Sequence, residues 1–278
     1  MKYYNYHTHT NYCDGSATPE KYIAQAKEMK MSALGFSAHS PLPFINTWSL
    51  KADMVNDYLT AIDNLKNIYI KDIAVFKGLE IDYIPGMSYN FREMIKVYKL
   101  DYTIGSVHLV KVESSDKLWF IDGPANKYSE GLKNLFNNDV KLAVTNYFKQ
   151  LREMIVNEKP DIIGHLDKIK MNNKEQFFST QDSWYRKLIS DTLKTIKNSI
   201  VEINTRGLYT GKYDEFYPAA FVIEECFKLD IPVTISSDAH NPADLTSYYD
   251  EAVCMLKTIG YKGVSVFKGN KWQFEKFT

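Results

Sequence analysis

The sequence predicts an α/β protein of about seven βα units closing toward a barrel. Three observations lead there. Short β-branched or aromatic runs alternate with amphipathic helical stretches over the 278 residues, a pattern that argues for a parallel sheet or barrel. The length suits one large domain, and (β/α) barrels need about 250 residues. Each of the six histidines falls at, or just beyond, the C-terminal end of a candidate strand.

The elements read in order as follows. Strands are expected at 2–6 (KYYNY), 33–37 (ALGFS), 73–81 (IAVFKGLEI), 101–107 (DYTIGSV), 161–164 (DIIG), 200–205 (IVEINT) and 233–237 (VTISS). Helical patterns occupy 19–30, 51–69, 88–99, 139–158, 182–198 and 218–229. Pro19 and Pro218 sit near helix starts, where the missing N–H costs little. The exception is 109–138, too long for an ordinary connection. It reads either as a lid, with Trp119, Phe120 and Tyr128 over a substrate, or as a surface excursion with its own short helix. No repeat, low-complexity tract or linker divides the chain, so 1–278 is expected to be a single domain.

Composition narrows the function classes. Apolar residues make up 45% and charged residues 24%, and 34 basic side chains balance 34 acidic ones. That neutrality speaks against a nucleic-acid partner. No segment runs apolar for the ~18 residues of a membrane helix, and no signal peptide is evident, so a cytoplasmic location is expected. Cys13, Cys226 and Cys254 are widely spaced, which suits a reducing compartment. Cys13 lies near two histidines but reads as a bystander thiol. The sequence leaves the oligomeric state open.

The histidines carry the chemistry. His7 and His9 follow the first strand, His39 the second, His108 the fourth, His165 the fifth and His240 the last. In a barrel the strand C-termini open onto one face, so six imidazoles converge there, and neutral imidazole is the commonest metal ligand. Glu80 ends the third strand, Asp238 precedes His240 by two, and Asp14 follows His9 in the first loop. Residues at i and i+2 on a strand share a face, so His7/His9 and Asp238/His240 can each present two ligands to one pocket. Asp82 could also face in, whereas Asp101, Asp161 and Asp167 read as turn or cap residues. Nine donors are too many for one tetrahedral ion and fit two or three. Mixed imidazole and carboxylate ligation suits Zn²⁺, Mn²⁺ or Fe.

HTHT, FSAHSPLPF, GLEIDYI, GSVHLV, GHLDK and SSDAH occur in that order between residues 6 and 241. Together they resemble the PHP (polymerase and histidinol phosphatase) superfamily, most closely its histidinol-phosphate phosphatase branch. The resemblance implies a distorted (β/α)7 barrel and three divalent metal ions, Zn foremost with Fe or Mn as alternatives. By motif, His7, His9 and Asp238 bind a first ion. Glu80 bridges it to a second, completed by His108 and His165, while Asp14, His39 and His240 hold the third. Two positions depart from the pattern. Many relatives carry a histidine or another acid where Asp14 stands, and relatives in this branch often carry an arginine where Tyr209 stands. Arg206 or Lys212 is expected to take over that phosphate contact.

The implied activity is hydrolysis of L-histidinol phosphate, a small-molecule monoester, to L-histidinol and phosphate in histidine biosynthesis. The expected nucleophile is a metal-bridging hydroxide attacking phosphorus, with Glu80 and Asp238 as the catalytic carboxylates. Arg206, Lys168 and Lys212 are the candidate phosphate-binding cations. Three other readings stand beside this one: a phosphodiesterase or nuclease of the superfamily, a protein-tyrosine phosphatase, and a metal-binding module without catalysis.

Overall fold

The computed structural model describes residues 2–113 and 115–277. From the N-terminus, β1 (Tyr4–Asn5) leads through α1 (Pro19–Glu28) to β2 (Ala33–His39), α2 (Val55–Ile68), β3 (Ala74–Asp82), α3 (Phe91–Tyr98) and β4 (Tyr102–Ser106). An excursion follows, with strands β5 (Leu109–Lys111) and β6 (Leu118–Phe120) and helix α4 (Ala125–Phe136). The alternation resumes with α5 (Val140–Asn157), β7 (Ile162–Ile163), α6 (Ser183–Leu193), β8 (Ile200–Asn204), the short α7 (Arg206–Tyr209), α8 (Ala220–Lys228) and β9 (Val233–Ser236). Helix α9 (Tyr249–Ile259) and the hairpin β10 (Gly263–Lys268) and β11 (Lys271–Lys276) complete the described chain.

The seven strands read from the sequence all form. They lie side by side in the order β1-β2-β3-β4-β7-β8-β9, and every neighbouring pair is parallel. Beyond the ends of β1 and β9, Thr8 bridges to Ala239 in parallel. His9 N–H donates to Ala239 O at 2.9 Å and Ala239 N–H to His7 O at 3.1 Å. The seam that closes the barrel is thus made by the segments carrying His7, His9 and Asp238.

Strand β2 is buried along its whole length, as expected of a parallel strand covered on both faces. In the interior, Tyr102 fills the space beneath the site. Its hydroxyl donates to Tyr6 O at 2.5 Å and lies 3.3 Å from Phe36 O. Gly35 and Gly78 make room for it: a Cβ at either would lie about 2.4–2.5 Å from the Tyr102 side chain, closer than packing permits. The β10–β11 hairpin seals this region, with Trp272 5.1 Å from the Tyr6 ring and Phe267 5.0 Å from Phe76.

The helices behave as their sequences suggest. Pro19 opens α1. Asn90 and Asp139 cap α3 and α5 by accepting from Glu93 N and Leu142 N, which satisfies N–H groups that have no partner within the helix. Pro218 lies two residues before α8 rather than inside it. Asp101 and Asp161 serve the chain as turn residues, accepting from the Lys77 and Thr103 amides. The 109–138 stretch is a built excursion with a hairpin and a 12-residue helix. Trp119 and Tyr128 are buried inside it, their rings 4.7 Å apart, with Trp119 Nε1 donating to Tyr128 O. They pack the excursion onto the barrel and do not cover a substrate; of the three rings, only Phe120 reaches the cleft.

Candidate metal centre and active site

Strand alternation delivers the site. On β3, Gly78, Glu80 and Asp82 share the inward face, as Glu202 and Asn204 do on β8. In register, Glu80 lies beside His39 on β2 and Ile104 on β4. Its buried carboxylate sits at the centre. Oε1 accepts from Ser106 Oγ at 2.6 Å and lies 3.0 Å from His165 Nε2 and 3.6 Å from His108 Nε2. Oε2 faces the other way, 2.9 Å from His39 Nδ1, 3.2 Å from His7 Nε2 and 3.4 Å from His9 Nε2. Asp238 Oδ1 closes on the same pair, 3.3 Å from His9 Nε2 and 3.7 Å from His7 Nε2. Asp14 reaches in from the first loop, 3.1 Å from His240 Nε2, 3.7 Å from His9 Nδ1 and 3.8 Å from His39 Nε2.

All nine side chains singled out in the sequence therefore converge. Their donor atoms fall into four overlapping groups, each within 4.8 Å: His7/His9/Asp238, His7/Glu80/His165, His39/Glu80/His108 and His9/Asp14/His39/His240. The first matches an expected set and the last matches another with His9 added. The expected Glu80/His108/His165 set is divided between the two middle groups, although its three side chains do meet.

A second ring of residues orients these donors, and the sequence reading passed over most of it. Glu202 Oε1 lies 2.6 Å from His7 Nδ1, and Oε2 accepts from the His165 amide at 2.8 Å. Asp82 accepts from the His108 amide at 2.8 Å and lies 3.1 Å from its Nδ1. Such contacts fix an imidazole's tautomer and leave Nε2 free as a donor. Tyr209 Oη lies 3.0 Å from both Ser237 O and Asp238 O, and Arg206 Nη1 donates to Asp238 O at 2.7 Å. Asp238 has a left-handed backbone, φ 53°, and His165 has φ 23°; such conformations persist only where the surroundings hold them. A signal for Glu202 was present in IVEIN, a charged residue at the centre of a buried strand.

The donor set fits a divalent cation. His7 Nε2, His9 Nε2 and Glu80 Oε2 are buried and have no hydrogen-bond partner among the described residues, although buried polar atoms are nearly always paired. Electrostatics agree. Burial opposes charge on His7, yet Glu202, Glu80 and Asp238 outweigh it and hold the imidazole well above its usual pKa. Burial likewise pushes Glu80 and Asp238 up, but the imidazoles around Glu80, and His7 and Arg206 beside Asp238, hold both well below the carboxylate range. Positive charge is favoured beside these carboxylates, whereas burial and the neighbouring His240 and His39 hold His9 well below its usual pKa. Cys13 Sγ is 3.5 Å from His9 Nδ1, and burial raises its pKa to about 12, so it stays a thiol.

A cleft of about 470 Å³ opens over the cluster, lined by Trp48, Phe120, Asp122, Lys168, Arg206 and Lys212 as well as by cluster residues. All three candidate phosphate-binding cations thus reach one cleft. Lys168 is no surface cation: it is 3% exposed, with Nζ 3.0 Å from Asp122 Oδ2 and 3.8 Å from Asp238 Oδ2. Phe120 stacks on Trp48 at 6.0 Å. Asp122, missed in the sequence, enters from the excursion. Burial raises its pKa, but Lys168 and His108 bring it down to about 2.

Fold and site together define a class: a seven-stranded (β/α) barrel whose strand C-termini gather imidazoles and carboxylates suited to divalent metal. A model of the PHP domain family matches residues 5–206, and the chain belongs to that family. A Deinococcus radiodurans protein named probable histidinol-phosphatase is 25% identical over 270 residues, 96% of this chain and 97% of its own. The Bacillus subtilis histidinol-phosphatase is 25% identical over 261 residues, 88% and 96% of the two chains. The histidinol phosphate phosphatase of Lactococcus lactis, solved with Zn, L-histidinol and phosphate, has the same fold: TM-score 0.70 at 20% identity, over 98% of this chain and 99% of its own. Among the described residues, no helix is long and apolar enough to cross a membrane.

Proposed function

We propose that this chain is a metal-dependent phosphomonoesterase that hydrolyses L-histidinol phosphate to L-histidinol and phosphate. The observation that carries the chemistry is the two-sided contact of Glu80, with one oxygen toward His108 and His165 and the other toward His7, His9 and His39. A carboxylate so placed would be shared between two ions. His7, His9 and Asp238 would complete one set, and His108 and His165 the other. Asp14, His39 and His240 would hold a third ion on the open side, with His9 Nδ1 facing the same group. Zn suits this nitrogen and oxygen set, and so do Fe and Mn.

Bound there, divalent ions lower the pKa of water and offset charge on phosphoryl oxygens. The chain supplies the rest. Glu202 and Asp82 hold the His7 and His108 rings so that Nε2 points inward. Arg206 and Lys168 place fixed positive charge at the cleft edge of the cluster, and Lys212 adds a third cation; preorganised charge of this kind stabilises a phosphoryl transition state. Trp48 and Phe120 form an apolar wall against which a flat ring can rest. The named relatives, aligned over nearly the whole chain, support the substrate.

The test is phosphate release from a panel of monoesters and a single-stranded oligonucleotide, with metal content measured in parallel. L-Histidinol phosphate is expected among the best substrates by kcat/KM. Preference for the oligonucleotide, or for an aryl phosphate such as phosphotyrosine, would replace this reading.

A further inference from the structure

We infer that Asp122 is the residue that takes the substrate's ammonium group, so that the cleft selects phosphate monoesters bearing a protonated amine close to the ester. The inference rests on the proposed function and names what reads that substrate.

Three carboxylates line the cleft: Asp14, Asp122 and Asp238. Asp14 and Asp238 face the imidazoles of the cluster. Asp122 lies at the margin, its Oδ2 3.9 Å from His108 Nε2, and is absent from every group of converging metal donors. It stands on the excursion, between the aromatic wall at Phe120 and the Lys168 ammonium 3.0 Å away. Its backbone is fixed on both sides. Asn172 Nδ2 donates to Ile121 O and Gly123 O, each at 2.9 Å, and Ile121 N–H donates to His108 O at 3.0 Å. The carboxylate is therefore held in place before a substrate arrives, as a recognition group should be. Lys168 and His108 both approach Oδ2, which leaves the carboxylate short of partners: Oδ1 has no hydrogen-bond partner among the described residues, and a carboxylate can accept about four hydrogen bonds.

The charge pattern matches the ligand. In L-histidinol phosphate the ammonium is carried by the carbon next to the ester-bearing carbon, so it cannot lie far from the phosphate. Lys168, Arg206 and Lys212 offer positive charge to the phosphate, and Asp122 sets one negative charge beside them. When the phosphate draws on Lys168, the substrate ammonium becomes the second cation on Asp122. A monoester without an amine leaves that carboxylate under-paired in a desolvated place, which is how a polar site rejects an analogue lacking the matching group.

The experiment uses the metal-loaded full chain and two substrates, L-histidinol phosphate and its des-amino analogue. The unsubstituted chain is expected to favour the amine-bearing ester by about tenfold or more in kcat/KM, the scale of one hydrogen bond to a charged group. Asp122→Asn is expected to bring that ratio close to one. A variant that slows both substrates with the ratio intact would overturn the inference and leave Asp122 as a support for Lys168. Should the variant fail to fold, the ratio in the unsubstituted chain decides, and a value near one overturns the inference. If other monoesters are hydrolysed but L-histidinol phosphate is not, the proposed substrate falls and this inference with it.

Discussion

At the scale of single residues, Glu80 and Glu202 show how one residue type does two jobs. Glu80 faces the imidazoles from both of its oxygens, whereas Glu202 meets a single imidazole, at the outer nitrogen of His7, with its other oxygen accepting from the His165 amide and Asn204. Glu80→Gln is expected to lower turnover by about a thousandfold or more, as ~4 kcal/mol of lost transition-state stabilisation would, and to reduce the ions retained per chain on elemental analysis. Glu202→Gln is expected to keep the ligand set but weaken metal affinity about 10–100-fold, read by chelator competition. The pair also sets a pH dependence in the metal-free protein. Burial raises the Glu202 pKa but His7 holds it low, so its contribution is present above the ordinary value of 4.5 and is lost as pH falls through the folded value. The His7 pKa is raised, so its contribution is complete below 6.5 and is lost as pH rises through the folded value. The pair's contribution to the stability of the metal-free protein should be largest between pH 4.5 and 6.5, and E202Q should remove that contribution from thermal midpoints measured across pH.

The nine donors were legible because polar side chains at the ends of apolar strands have little else to do there. The orienting residues were harder to see. Asp82 was half visible through its i+2 relation to Glu80. Glu202 sits mid-strand, where a lone acid gives no hint of its partner. Asp122 and Asn172 lie outside any periodic segment, and only the folded chain brings Asp122 to the cleft and Asn172 to the backbone on either side of it.

At the scale of elements, the seven parallel strands followed from composition and alternation, and their helices from the 3.6-residue period. Within 109–138 the sequence supports a surface excursion with its own helix as one of two readings but does not show its hairpin, because β5 and β6 are three residues each, too short to show a period. The C-terminal hairpin did carry a signal that the reading left unused: Gly269-Asn270 stands between two alternating runs, and both residues have positive φ, as tight two-residue hairpin turns require. Two predictions belong here. Tyr209→Phe removes the hydroxyl that holds the turn at Ser237 and Asp238, and it should loosen metal retention about tenfold with little change in the thermal midpoint of the metal-free protein. Gly78→Ala forces a methyl group against the buried Tyr102 ring and should destabilise the barrel by about 1–3 kcal/mol in denaturant unfolding.

For the whole molecule, the barrel is closed by the same residues that build the site. The Thr8–Ala239 bridge lies between His7 and His9 on one side and Asp238 on the other, so ions that bind those side chains also tie the first strand to the last. Metal removal should therefore lower the thermal midpoint, by several degrees for each ion lost if each contributes about 2–3 kcal/mol at a hundredfold excess over its Kd. Adding a divalent ion back should restore it. The cluster is proposed to be a metal centre working on L-histidinol phosphate. Phosphate release from that ester, measured against ions bound per chain as metal is titrated into the stripped protein, tests it most directly. Activity is expected to be absent without metal and to rise with occupancy. Full activity in the stripped protein, or metal-loaded protein inert toward L-histidinol phosphate, would contradict it.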